Sequence, residues 1–257
     1  VPIQAYVQKI LLGDYKAAYD LITGKNALQG ICGAVCAHPC EDACVRGTID
    51  APVKIRELKR FVLEYGKAQG WTPAWCAAEP NGHKVAVIGA GPCGLACAAE
   101  LRKGGYEVTV YDRNEKAGGN LTYGMPTYGG QADAISKEVE MLRSHGVEFV
   151  FGTDIGTDVT LAELKAQGFE KVFAAVGKQL IEESNIPGYG LALDAIAFLR
   201  DVNCGKAAIS GNVAVIGDGY AAINAARSAV RLGAKKVSLL LPGAASKASG
   251  MAENLSA

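Results

Sequence analysis

"KVAVIGAGPCG", residues 84–94, decides the fold. A short run rich in valine and isoleucine ends in glycine, and Gly89, Gly91 and Gly94 stand at G-x-G-x-x-G spacing. "PCGLACAAELRKGG" follows with a helical pattern, and "YEVTVYD" is a second strand that ends in Asp112. Strand, glycine turn, helix and strand make one β-turn-α-β unit. Its glycines have separate mechanical uses. Gly89 permits the tight turn, Gly91 lets a pyrophosphate approach the backbone, and Gly94 lets helix and strand pack closely. The helix start adds unpaired N–H groups and the positive end of a dipole. Asp112, 23 residues after Gly89, can accept from ribose hydroxyls, which favours an unphosphorylated adenosine ribose.

The unit occurs twice. "NVAVIGDGYAAINAARSAVRLGAKKVSLLL", residues 212–241, repeats it, with "VAVIG" at Val85 and again at Val213. Its loop carries Gly217, Gly219 and Ala222, the G-x-G-x-x-A variant. After its second strand no Asp or Glu occupies the ribose position and no Arg waits for a 2′-phosphate. The choice between NADH and NADPH is therefore open. Between the copies lie a predicted helix over 131–145, a strand at "VEFVFG" (147–152) and another at "KVFAAVG" (171–177). Alternating strands and helices predict an α/β fold, a parallel sheet covered on both faces. In "RNEKAGGNLTYGMP", residues 113–126, Gly118 and Gly119 allow backbone to run close to a ligand.

The N-terminal part is different. Residues 2–29 read as two short helices broken at Gly13–Asp14, with Asp14 able to cap the second. "ICGAVCAHPCEDAC", residues 31–44, sets Cys32, Cys36, Cys40 and Cys44 at four-residue intervals, and Pro39 argues against one unbroken helix. A loop wrapping one metal centre is the simpler reading. Spacing alone leaves a [4Fe–4S] cube, zinc or no metal open. His38 is a candidate ligand, though a lone loop histidine is more often solvated. Residues 53–70 are an amphipathic helix with Ile55, Leu58, Val62 and Tyr65 on one face, ended by Gly66 or Gly70. Residues 71–83 read as a linker. Cys93 and Cys97 share a helix face and read as ordinary core.

Composition excludes several classes. The chain has 257 residues, 49 % of them hydrophobic, and 26 basic against 26 acidic side chains. That balance gives no field for nucleic acid or an anionic membrane. No apolar run is long enough to span a bilayer. Cysteines scattered beside nucleotide folds point to a reducing compartment, hence the cytoplasm. Val1 is not a starting residue and the second unit's pattern stops at Ala257, so a piece of a longer protein is expected.

The order of cysteine cluster, amphipathic helix, linker and two nucleotide units resembles the glutamate synthase small-subunit family. That family includes the N-terminal half of dihydropyrimidine dehydrogenase and putative selenate reductase subunits. The matching stretches are "CGAVCAHPCEDACVRGTIDAPVKIRELKRF", "VAVIGAGPCGLACAAELRKGGYEVTVYDRNEKAGGNLTYGMP", "VFAAVGK", "IPG" and "VAVIGDGYAAINAARSAVRLGAKKV". The resemblance implies a helical iron–sulfur domain over 1–70, a linker over 71–83, the first part of a Rossmann-like FAD domain over 84–190, and part of an inserted Rossmann-like NAD(P) domain over 191–257.

It also implies roles. Cys32, Cys36, Cys40 and Cys44 would be iron–sulfur ligands. Gly89, Gly91, Gly94, Asp112, Arg113, Gly119, Asn120 and Leu121 would hold FAD. Gly217, Gly219 and Ala222 would meet NAD(H) or NADP(H). Relatives bring further cysteines from upstream and share them between two clusters, so the four here need not share one cube. Lys59 stands where some relatives have a Gln or Glu ligand, and a protonated Lys cannot ligate. The implied activity passes electrons between NAD(P)H, FAD and an iron–sulfur centre to a redox partner subunit or domain, with no acid–base side chain required. Two rivals are a non-catalytic scaffold that docks a partner enzyme and a zinc-stapled nucleotide-binding protein.

Overall fold

A computed structural model describes residues 1–126, 131–178 and 187–241. The sequence "YGG" at 128–130, Ile186 of "IPG", and everything after Leu241 lie outside the described residues. The chain divides into two compact units, residues 1–118 with 129–177 and residues 119–128 with 178–257.

In the first unit, α1 (Ile3–Leu11) and α2 (Tyr15–Thr23) form the expected pair. Gly13 takes the left-handed conformation between them, and Asp14 Oδ1 accepts from the Ala17 N–H to cap α2. Helix α5 (Ile55–Ala68) packs on this pair, and Tyr6, Ala18, Tyr19, Ile22, Ile55 and Val62 make the core. The predicted face of α5 is partly corrected. Ile55 and Val62 are buried, Leu58 is half-buried, and Tyr65 is exposed. Gly66 takes the buried place and does not end the helix. A Cβ there would sit 2.5 Å from the Tyr19 ring. Gly70, left-handed at φ +70°, follows the true end at Ala68.

The cysteine stretch holds α3 (Gln29–Val35), α4 (Pro39–Asp42) and a 3₁₀ turn (Val45–Thr48). Pro39 occupies the first turn of α4, where its missing N–H has no consequence, and His38 before it is left-handed. The segment 71–83 has no regular structure, yet it is pinned. Trp71 meets Tyr19 edge-on, and buried Trp75 stacks on His145 with centroids 4.5 Å apart. Asn81 N–H donates to the Gly105 carbonyl.

The sheet of this unit runs β3-β2-β1-β4, all parallel, from β1 (Lys84–Ile88), β2 (Glu107–Asp112), β3 (Val147–Phe151) and β4 (Lys171–Ala174). β1 lies between β2 and β4, so Val85, Ala86 and Val87 are all buried. Helices α6 (Pro92–Lys103) and α8 (Gln131–Ser144) pack on the sheet. On the side of Ala86 and Tyr111, Leu164 from α9 (Leu161–Ala166) closes a small cluster with Ile155, Val159 and Phe169. This is the predicted α/β architecture.

In the second unit, β5 (Asn212–Ile216) and β6 (Lys236–Leu240) pair in parallel, joined through α11 (Tyr220–Arg231). Asp194 caps α10 (Ala195–Asn203) by accepting from Ala197 N–H at 2.8 Å, and α10 packs on α11. The short helix α7 (Asn120–Tyr123) belongs here: Asn203 Nδ2 donates to the carbonyls of Thr122 and Met125 at 3.1 and 2.7 Å.

Candidate functional site

The first glycine loop joins β1 to α6. Gly89 adopts φ +104°, and a Cβ on it would meet the Ala175 carbonyl oxygen. A Cβ on Gly94 would meet the Gly89 carbonyl oxygen. Both positions exclude a side chain by contact with backbone, which cannot give way. Gly91 caps α6, and no side chain caps that helix. Its first N–H groups therefore carry no side-chain cap.

The end of β2 fixes this loop. Gly89 N–H donates to the Tyr111 carbonyl at 2.7 Å, and Ala90 N–H donates to Asp112 Oδ2 at 2.7 Å. Asp112 Oδ1 accepts from the Asn114 backbone N–H and from Asn114 Nδ2, both at 2.8 Å. Gly118 N–H donates to the Ala90 carbonyl at 2.8 Å. Arg113 is exposed beside this buried carboxylate. Gly119, Asn120 and Leu121 fall in the second unit, where Gly119 (φ 52°, ψ −130°) starts α7.

The second loop repeats the first within its own unit. Gly217, at φ +136°, donates to the Leu240 carbonyl at 2.9 Å. Gly219 caps α11, again with no side-chain cap, and a Cβ on Gly219 would meet nothing. Ala222 is buried, its Cβ 3.1 Å from where a Gly217 Cβ would stand. Ile216 pairs with Leu240, so Leu241 stands where the first copy has Asp112.

The thiols are all free. Cys32 lies in α3, where burial pushes its thiol up and Lys59 opposes the shift. Cys36 follows in extended backbone, its sulfur 3.4 Å from the His38 N–H. Cys40 sits in α4 against the helical core. Cys44 precedes the 3₁₀ turn, and the backbone N–H groups of Val53 and then Arg46 draw its thiol down. Among the described residues no three His, Cys, Asp or Glu side chains gather as a bound metal needs. Cys32, Cys36, Cys40 and Cys44 stand on separate pieces of this stretch, α3, the extended link, α4 and the start of the 3₁₀ turn.

Two carboxylates that sequence patterning missed tie this stretch in place. Glu41, buried in α4, accepts from the Arg56 N–H at 2.8 Å and so closes the start of α5. Glu138, buried in α8, accepts from the Ile31 N–H at 3.1 Å across 107 residues of sequence. Gly30 leaves room beneath it, since a Cβ there would lie 3.1 Å from Glu138 Oε1. Burial pushes the Glu138 carboxyl up to about 7. No sequence period could have paired Glu138 with α3.

The comparisons with known proteins give the family and the fold. The model of the pyridine nucleotide-disulphide oxidoreductase family matches residues 83–256, and that of dihydropyrimidine dehydrogenase domain II, 4Fe-4S cluster, matches residues 1–71. The chain is 37 % identical to the NADP(+)-dependent formate dehydrogenase subunit beta of Moorella thermoacetica, over 93 % of this chain and 37 % of that protein. It is 33 % identical to the glutamate synthase [NADPH] small chain of Bacillus subtilis, over 88 % of this chain and 48 % of that one. The chain thus spans less than half the length of these curated relatives. Among solved structures, 6-hydroxypseudooxynicotine amine oxidase of Pseudomonas geniculata N1 shares the fold, at TM-score 0.53 and 23 % identity, over 74 % of this chain and 29 % of that one. No helix among the described residues is long and apolar enough to cross a membrane.

Proposed function

This chain belongs to the pyridine nucleotide-disulphide oxidoreductase family, and from that premise we propose that it is the electron-transfer portion of an NAD(P)H-dependent oxidoreductase. It takes reducing equivalents from NAD(P)H at FAD and passes them to a partner subunit or domain. The single observation that carries this is the first loop, where Gly89 and Gly94 exclude a side chain by backbone contact and α6 opens with no side-chain cap. FAD, when bound, supplies a centre that accepts two electrons together and releases them singly.

The residues have these parts. Gly89, Gly91 and Gly94 bring backbone N–H groups and the α6 dipole to the pyrophosphate of FAD. Asp112 and Arg113 would meet its ribose, and Gly119, Asn120 and Leu121 would contribute further contacts to FAD. Gly217, Gly219 and Ala222 receive the nicotinamide nucleotide at α11. Hydride transfer needs alignment of two rings, so no side chain is assigned as acid or base. Residues 1–70 form the cysteine-bearing helical domain and 71–83 its tether. Residues 84–190 begin the FAD domain, and 191–257 belong to the NAD(P) domain. Cys32, Cys36, Cys40 and Cys44 would serve as iron–sulfur ligands, and the four need not share one cube. The partner is a redox subunit, as the names of the relatives suggest, and the compartment is the reducing cytoplasm, in keeping with eight free thiols.

A second reading has a specific observation in its favour. Leu241 stands in the second loop where the first has the carboxylate of Asp112. A scaffold that holds flavin and docks a partner enzyme without turnover would look the same. Anaerobic addition of NADPH or NADH to the flavin-loaded protein separates the two. Bleaching of the flavin by either nucleotide supports the oxidoreductase, and flavin left oxidised by both supports the scaffold.

A further inference from the structure

We propose that Asp112 is a positioning residue that acts on FAD mainly through the glycine loop, and only secondarily by contact with ribose. The proposal rests on the reading that this loop holds FAD. An ionised carboxylate offers about four lone-pair sites. Three N–H groups of the protein take up three of them: Ala90 N–H on Oδ2, and both Asn114 donors on Oδ1. One site remains, on Oδ2, while the adenosine ribose brings two hydroxyls. Asp112 is buried at 8 % exposure.

The bond to Ala90 lands in the middle of the motif. Ala90 separates Gly89 from Gly91 and is fully buried. Both sides of it are held, its N–H by Asp112 and its carbonyl by the Gly118 N–H. Gly89, one residue earlier, is held by the Tyr111 carbonyl. With no side chain on Gly89 or Gly91, only the small Ala90 side chain and the Gly89 bond to Tyr111 hold the loop against β2 besides Asp112. Asp112 supplies a charge-assisted hydrogen bond at that point. The loop is thereby set before any pyrophosphate arrives, so less ordering remains to be done on binding. The second copy keeps the bond from Gly217 to Leu240 but has Leu241 in the carboxylate position, which makes the anchor particular to the first loop.

The experiment is a two-by-two comparison. Wild type and Asp112→Asn are titrated with FAD and with an FAD analogue that lacks the hydroxyls of the adenosine ribose. Amide hydrogen exchange at Ala90 is followed in both proteins without flavin. Asn replaces one acceptor oxygen by an amine, so either Ala90 or Asn114 faces a donor. Exchange at Ala90 is expected to rise by roughly tenfold or more, and affinity for FAD and for the analogue to fall by a similar factor, about 10- to 100-fold. A role confined to ribose would leave Ala90 exchange unchanged and affinity for the analogue untouched, and that result overturns the proposal. A general loss of structure would raise exchange at Val108 in β2 as well. In that event Asn114→Ala, which removes one donor and keeps the bond to Ala90, decides. Ala90 exchange and affinity for both ligands near wild type support the anchor, and a change in FAD affinity that the analogue does not share overturns it. If wild type binds neither flavin, the flavin reading fails, while the exchange measurement still decides whether Asp112 holds the loop.

Discussion

Glu138 Oε1 accepts the Ile31 N–H at 3.1 Å, so the helix that carries Cys32 begins on a carboxylate supplied by the nucleotide-binding fold. Burial raises this carboxyl from 4.5 to about 7. Its proton is therefore bound more tightly in the folded than in the unfolded chain. The stability it contributes is fully present below pH 4.5 and is lost as the pH rises towards about 7. The span is on the order of 3 kcal/mol. Denaturant midpoints from pH 4.5 to 8 should decline in wild type, and Glu138→Gln should remove that part of the slope. An unchanged slope in the variant would contradict the assignment.

Gly66 and Gly70 should respond differently to alanine. At Gly66 the new Cβ would strike the Tyr19 ring at 2.5 Å inside the helical core, an overpacking cost of about 1–3 kcal/mol. At Gly70 nothing lies within 4 Å but φ is +70°, a backbone cost of about 1 kcal/mol. Urea unfolding checks both, and the larger loss should fall on Gly66→Ala.

That contrast shows how far the sequence could be read. The amphipathic period of α5 pointed to Ile55 and Val62 correctly, because burial follows the helical repeat. It mistook Tyr65 for core and Gly66 for a stop, because the filling atoms come from Tyr19 on another helix. The glycine loops were legible, since each glycine answers a local backbone demand at a fixed spacing. The cysteines were legible as a pattern and not as a geometry. Pro39 signalled the break between Cys36 and Cys40, whereas left-handed His38, which turns the chain there, had no signal. The anchors Glu41, Glu138 and Trp75 had no signal, because each pairs with residues far along the chain.

Gly219→Ala tests the second loop without disturbing the fold. Its φ of −85° suits any residue, and the added Cβ meets nothing. Stability should stay within about 0.5 kcal/mol of wild type. If a pyrophosphate lies against this backbone, the concentration of NAD(P)H needed to reduce the flavin should rise by roughly tenfold, or about 1.4 kcal/mol. Equal nucleotide dependence in the variant would speak for a loop that binds nothing.

Asp14→Ala should weaken the N-terminal helical pair. The side chain caps α2 through the Ala17 N–H and also meets Lys9 at 3.1 Å. Loss of such a cap costs about 1 kcal/mol. A lowered thermal midpoint with unchanged flavin content is the expected result, because the cap lies far along the chain from the glycine loop.

The most direct test of the account is an anaerobic absorption spectrum of the purified protein before and after NAD(P)H. A flavin band near ~450 nm, superimposed on a broad iron–sulfur shoulder and bleached by the reduced nucleotide, is the predicted result. A colourless protein containing zinc would contradict it.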